Sequence, residues 1–81
     1  MIKVISNFKN QYIIKGTKFE SLQSYNSIII LKYKGRVYLD EYYWNYSKTT
    51  GKHRNDFLNE NIKTTRLKII SGIYKLKNLN K

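Results

Sequence analysis

Apolar residues recur with a period of roughly 2 in the first half of the chain and roughly 3.6 in the second, so strands are expected first and helices later. Ile2 to Ile5 and Tyr12 to Ile14 are β-branched or aromatic runs separated by Asn7-Phe8-Lys9-Asn10, which predicts a hairpin ended by Gly16-Thr17. Ser27 to Tyr33 and Arg36 to Asp40 are two more strand-like runs, joined by Lys34-Gly35, whose glycine tolerates positive φ. A two-residue turn pairs Tyr33 with Arg36, Lys32 with Val37, Leu31 with Tyr38 and Ile30 with Leu39. Opposite residues share a face. Ile28, Ile30, Val37 and Leu39 are therefore expected on an apolar face, and Ile29, Leu31, Tyr33, Arg36, Tyr38 and Asp40 on an amphipathic one.

After the aromatic run Tyr42-Tyr43-Trp44-Asn45-Tyr46 the period lengthens. Ser47, Thr49 and Thr50 offer N-cap hydroxyls to a short helix that sets Thr50, His53, Arg54, Phe57 and Leu58 on one side and Lys48, Lys52, Asn55 and Asn59 on the other. Trp44 is expected to anchor that helix to the core. A second helix over 62–71 gathers Ile62, Arg66, Ile69 and Ile70, places Thr64, Thr65 and Lys68 outward, and stops at Gly72. Ile73 to Leu76 reads as a last strand. No repeat, linker or low-complexity block divides the chain, so 1–81 is one domain, with an N-terminal hairpin at 1–16. The expected class is α+β: a small antiparallel sheet with two short helices packed on one face.

Charge changes this picture most. Sixteen Lys and Arg stand against five Asp and Glu, a net charge of +11 on 81 residues. Self-repulsion on that scale favours a polyanionic partner and salt-dependent binding. The abundance of Lys, Asn, Ile and Tyr and the absence of Pro also fit an AT-rich genome, which leaves codon usage as a second source of the lysines. With no Cys there is neither a disulfide framework nor a thiolate site, which favours a reducing cytoplasm over secretion. The longest apolar run is Ile28 to Leu31, far short of the roughly 20 residues a transmembrane helix needs.

The best candidate for chemistry is Ser47-Lys48-Thr49-Thr50-Gly51-Lys52-His53-Arg54. A helix start supplies backbone N–H groups, and Lys48, Thr49, Thr50, Lys52, His53 and Arg54 suit a phosphate. The leading glycine of a P-loop is missing. The alternative is that Ser47 or Thr50 caps the helix, the basic residues stay solvated, and His53 packs beside Phe57. Tyr33, Arg36 and Tyr38 interleave rings with cations on one hairpin face, as single-stranded nucleic acids require, although Tyr is also an ordinary sheet residue. Lys68, with Lys63, could extend the basic surface. Asp40, Glu41 and Glu60 read as solvated charges or ion-pair partners. No motif places a nucleophile or orienting carboxylate beside His53, and no metal-ligand spacing occurs, so no catalysis, cofactor or metal is expected.

The stretch Glu41 to Leu58, with Thr65-Arg66, Ser71-Gly72 and Tyr74-Lys75-Leu76 downstream, resembles small uncharacterised phage- and plasmid-encoded proteins of low-GC bacteria. The resemblance spans residues 25–79 and rests on an aromatic-Tyr-Ser, Thr-Thr, Lys-His, Phe-Leu and Ser-Gly-x-Tyr pattern. Gly51 departs from it, standing where a small polar residue is usual, and such a glycine weakens a first helical turn. The resemblance implies a setting and no activity. The function expected is a small phage or mobile-element protein binding DNA or RNA largely through phosphates. The alternative is a phage-encoded inhibitor of a host protein or defence complex that uses the same basic surface.

Overall fold

The structure, a computed structural model, describes the backbone of residues 3–5 and all of residues 10–80. β1 (Lys3–Ile5), β2 (Gln11–Lys15), β3 (Phe19–Ser24), β4 (Ser27–Tyr33) and β5 (Arg36–Asp40) form a meander, each strand antiparallel to the next. The chain then passes through α1 (Lys48–Leu58) and α2 (Ile62–Ile70) and returns as β6 (Tyr74–Lys77) beside β5. The expected antiparallel sheet therefore ends in one parallel pair, Val37↔Tyr74 to Asp40↔Lys77. The physical reason is connection length, since only a long crossover such as α1–α2 can bring a strand back in the same direction. The N-terminal hairpin forms as expected, but its turn at 7–9 lies outside the described residues. β3 is an addition to the elements predicted.

The β4–β5 register is the one that a two-residue turn dictates, from Tyr33↔Arg36 to Ile30↔Leu39. Lys34 and Gly35 both have positive φ, 51° and 77°, the conformation that suits the twist of a tight hairpin. One expectation on this hairpin fails. A bulge opposite Leu22/Gln23 pairs Leu22 with Ile30 and Gln23 with Ile28, leaving Ile29 extra. The strict alternation breaks there, so Ile29 joins Ile30 in the core and Ile28 does not.

Leu22, Ile29, Ile30, Leu39 and Tyr74 form the buried cluster, and Ile13, Val37, Tyr43, Trp44, Phe57, Leu58 and Ile69 pack around it. Each fully buried aliphatic contributes roughly 1.5–3 kcal/mol by leaving water. Both helices lie on the same side of the sheet. α1 meets Ser24 through His53 and Thr50 and reaches Lys32 through the Phe57 ring. Tyr74, on the face of Val37, binds Glu60 between the helices and Lys68 of α2.

The helix ends follow from their caps. Ser47 Oγ accepts from the Thr50 N–H at 3.1 Å, and Asn59 closes α1 in the left-handed region at φ 55°. Asn61 Oδ1 accepts from the Thr64 N–H at 2.9 Å, and Gly72 at φ 85° follows the Ser71 C-cap. The packing stripe of α2 differs from expectation. Thr65 is fully buried, its hydroxyl donating to Glu60 Oε2 at 2.7 Å, whereas Ile70 points to solvent at 81% exposure. Arg66 is exposed, its guanidinium over the Trp44 ring at 5.5 Å.

Candidate nucleic-acid interface

The first turns of α1 divide the expected anion cradle in two. Lys48, Thr49 and Lys52 are exposed, but Thr50, His53 and Arg54 are buried, facing the sheet with Phe57 and Leu58. A helix stripe that packs on a core cannot also present its charges to a ligand. These three are corrections to the expected site. Ser24 Oγ stands 2.8 Å from His53 Nδ1 and 3.1 Å from Thr50 Oγ1, so His53 and Thr50 join α1 to β3. Burial lowers the His53 pKa, partly opposed by the nearby Asp56 charge. Arg54 Nη1 donates to the Trp44 carbonyl at 2.9 Å and to Asn45 Oδ1 at 3.1 Å. Its Nη2 donates to Asn55 Oδ1 at 2.9 Å, and the guanidinium lies 5.4 Å from the Trp44 ring. Trp44 is thus anchored as expected, held on the core with the arginines of both helices over it.

Gly51 is buried in this packed turn, and a Cβ built there meets the Arg54 guanidinium at 3.5 Å, an ordinary contact. Gly51→Ala is expected to raise stability by about 0.5–1 kcal/mol through the unfolded chain alone, measured as a higher urea midpoint at unchanged m-value.

Lys68 is not a free cation either. Its Nζ donates to Glu60 Oε1 at 2.8 Å, where the Tyr74 hydroxyl donates at 3.0 Å. Burial pushes the Glu60 carboxyl up, but the bonds from Lys68, Thr65 and Tyr74 outweigh it and hold its pKa below the ordinary value. Bonds to Glu60 first and to the Tyr74 hydroxyl second raise the Lys68 pKa. Glu60 is the ion-pair partner expected. Asp40, expected in solvent or in an ion pair, is instead 2% exposed. Its Oδ2 accepts from the N–H groups of Tyr42 and Tyr43 and its Oδ1 from that of Leu79.

The opposite face of the sheet keeps its expected residues in reach. No described helix covers it. The register places Phe19, Tyr33 and Arg36 in one row and Ser21, Leu31, Tyr38 and Lys75 in the next. Tyr33 is 39% exposed, Arg36 is exposed and Tyr38 is half-buried. Here β6 adds what sequence reading missed. Lys75 and Lys77 are exposed on the same face as Tyr38, and Lys77 Nζ lies 4.8 Å from its ring centre. A groove of about 460 Å³ runs along the β5–β6 pair, lined on this face by Arg36, Tyr38, Ile73, Lys75 and Lys77. The signal in the sequence is the alternation Tyr74-Lys75-Leu76-Lys77, which acquires meaning only once β6 is known to lie beside β5.

Three of the described acids are engaged within the fold. Glu20 takes Lys15 and Lys32, Glu60 takes Lys68, and Asp40 is engaged by backbone donors. Among the described residues no group of three or more acids or histidines could hold a metal, and no helix is long and apolar enough to cross a membrane. The model of a family of unknown function, DUF8033, matches residues 3–72, which takes in the N-terminal hairpin. No curated protein and no solved structure matches the chain.

Proposed function

The chain belongs to DUF8033, a family of unknown function, and we propose that it is a small non-enzymatic protein that binds single-stranded nucleic acid on the helix-free face of its sheet. One observation carries the reading: Arg36, Lys75 and Lys77 line a groove along β5 and β6 together with Tyr38, whose ring centre is 4.8 Å from Lys77 Nζ. Cations beside an aromatic face neutralise phosphates and stack bases together, and neither interaction demands a particular base. Tyr33 and Lys34 extend the strip toward the hairpin end, where Lys34 Nζ lies 5.3 Å from the Tyr33 ring. Lys48, Thr49 and Lys52 form a separate basic surface at the start of α1. A phage or plasmid is the setting in which such a protein would act.

Fluorescence anisotropy on labelled oligonucleotides across a salt series tests this. The triple variant Arg36→Glu/Lys75→Glu/Lys77→Glu is expected to bind single strands at least about tenfold more weakly. Its salt slope should flatten by about 2, near 0.7 for each phosphate that is no longer neutralised. Lys48→Glu/Lys52→Glu is the control and should lose less. A greater loss in the control would move the interface to α1. Wild-type binding that is weak and identical for single strands and duplexes would remove the reading and leave the host-protein inhibitor.

A further inference from the structure

The sheet order β1 to β6 makes β6 an edge strand with one neighbour among the described strands. The Lys77 carbonyl accepts from the Glu41 N–H at 2.9 Å, which turns the backbone groups of Lys77, and two residues back of Lys75, toward the β5 side. Those of Tyr74 and Leu76 therefore face outward, where no described strand pairs with them. The two faces beside this edge differ in chemistry. On the helix side Leu76 is 41% exposed, and Ile70, at the end of α2 leading into this strand, is 81% exposed. On the other side stand Lys75 and Lys77, with Arg36 of β5 beyond them.

An unpaired edge is a template for another strand, and the side chains that alternate above and below it select which strand adds. A second copy of this chain fits poorly. β6 against β6 would bring Lys75 and Lys77 close to their own counterparts, and like charges across a strand pair repel. We propose that the β6 edge docks an extended acidic segment of a partner protein, which adds as a seventh strand. Its apolar side chains lie over Leu76 and its carboxylates lie over Lys75 and Lys77. The partner's signature is thus alternation of acidic with apolar residues, set by the period of the edge. The proposal stands apart from the nucleic-acid reading, because it needs the outward backbone groups of β6, for which a nucleic acid bound in the groove has no use.

Two capped nine-residue peptides test it, one alternating Glu and Val and one of the same composition with its Glu residues in a block. The alternating peptide is expected to bind at least about tenfold tighter, with amide shifts centred on Tyr74–Lys77 in the NMR spectrum of the labelled protein. Leu76→Pro removes one outward N–H and spares the pairing with β5, so it should abolish peptide binding. Should that variant fail to fold, Lys75→Glu/Lys77→Glu keeps the edge backbone and is expected to reverse the preference, favouring a peptide that alternates Lys and Val. Equal binding of the two acidic peptides, shifts away from β6, or a concentration-dependent dimer in sedimentation that Leu76→Pro dissolves would each overturn the proposal.

Discussion

Arg54→Leu is expected to destabilise the domain by about 3 kcal/mol or more, read as a fall in urea midpoint. The side chain is 1% exposed, and its hydrogen-bond acceptors are a carbonyl and two side-chain amides, none of them charged. Burial lowers the pKa of the guanidinium, as does the neighbouring Arg66 charge, with Glu60 opposing them. Replacing a buried ion by an apolar residue is often harmless when its partner goes with it. Here the partners stay: the Trp44 carbonyl and the Asn45 and Asn55 amides lose their donor, and the tether between α1 and the 42–46 turn is cut. A small domain has only about 5–15 kcal/mol in total, so the loss is a large share of it. Arg54→Lys should recover less than half, since an ammonium cannot reach those oxygens as a planar fork. A cost below about 1 kcal/mol would show that the network does not hold the helix.

Asp40→Ala is the second large effect, expected at about 3–4 kcal/mol in the same measurement, from three backbone N–H groups losing their acceptor. The bonds are 3.1 Å from Tyr42, 2.8 Å from Tyr43 and 2.7 Å from Leu79, so a single carboxylate fixes both the exit from β5 and the segment after β6. Asp40→Asn keeps one carbonyl oxygen and should cost about half as much. Burial would raise the Asp40 pKa, but these bonds outweigh it and hold the group below its ordinary 3.8. The unfolded chain then takes up the proton first as pH falls. The contribution of Asp40 is thus complete above about pH 4 and is lost as pH drops through the lowered folded value. Asp40→Asn should remove this part of the acid limb, and an unchanged acid limb would refute the assignment.

Local pattern carries the β4–β5 hairpin to its register, because Gly35 and two alternating runs leave a tight turn little choice. It also carries the Ser47 cap and the Gly72 stop. It cannot carry the bulge at Ile29, which depends on what β3 offers across the ladder. β3 itself is hidden for a physical reason. Ser21 and Ser24 are buried polar residues, 5% and 3% exposed, and the turn after them puts Tyr25 at φ 57° where a glycine would have signalled it. The direction of β6 is illegible as well, since a strand's own residues do not name its neighbour.

The candidate site shows the same division. A run of Lys, Thr, His and Arg at a helix start looks like one cradle along the chain. The helical wheel sets Thr50, His53 and Arg54 on the side of Phe57 and Leu58, and the structure follows the wheel. Tyr33, Arg36 and Tyr38 share the face that their alternation assigns them. Lys75 and Lys77 come from a distant part of the chain and meet them only through the parallel pair.

That parallel pair also orders events in time. The five strands of the meander pair in sequence order, so each junction within it closes a short loop, a step of microseconds. β6 can reach β5 only when residues 41–73 have been brought round, and the entropy of that closure is lost before Leu39 and Tyr74 share a core. The junction of β5 and β6 is therefore expected to close last. An opening along this seam would release α2 and β6 while the meander stays whole.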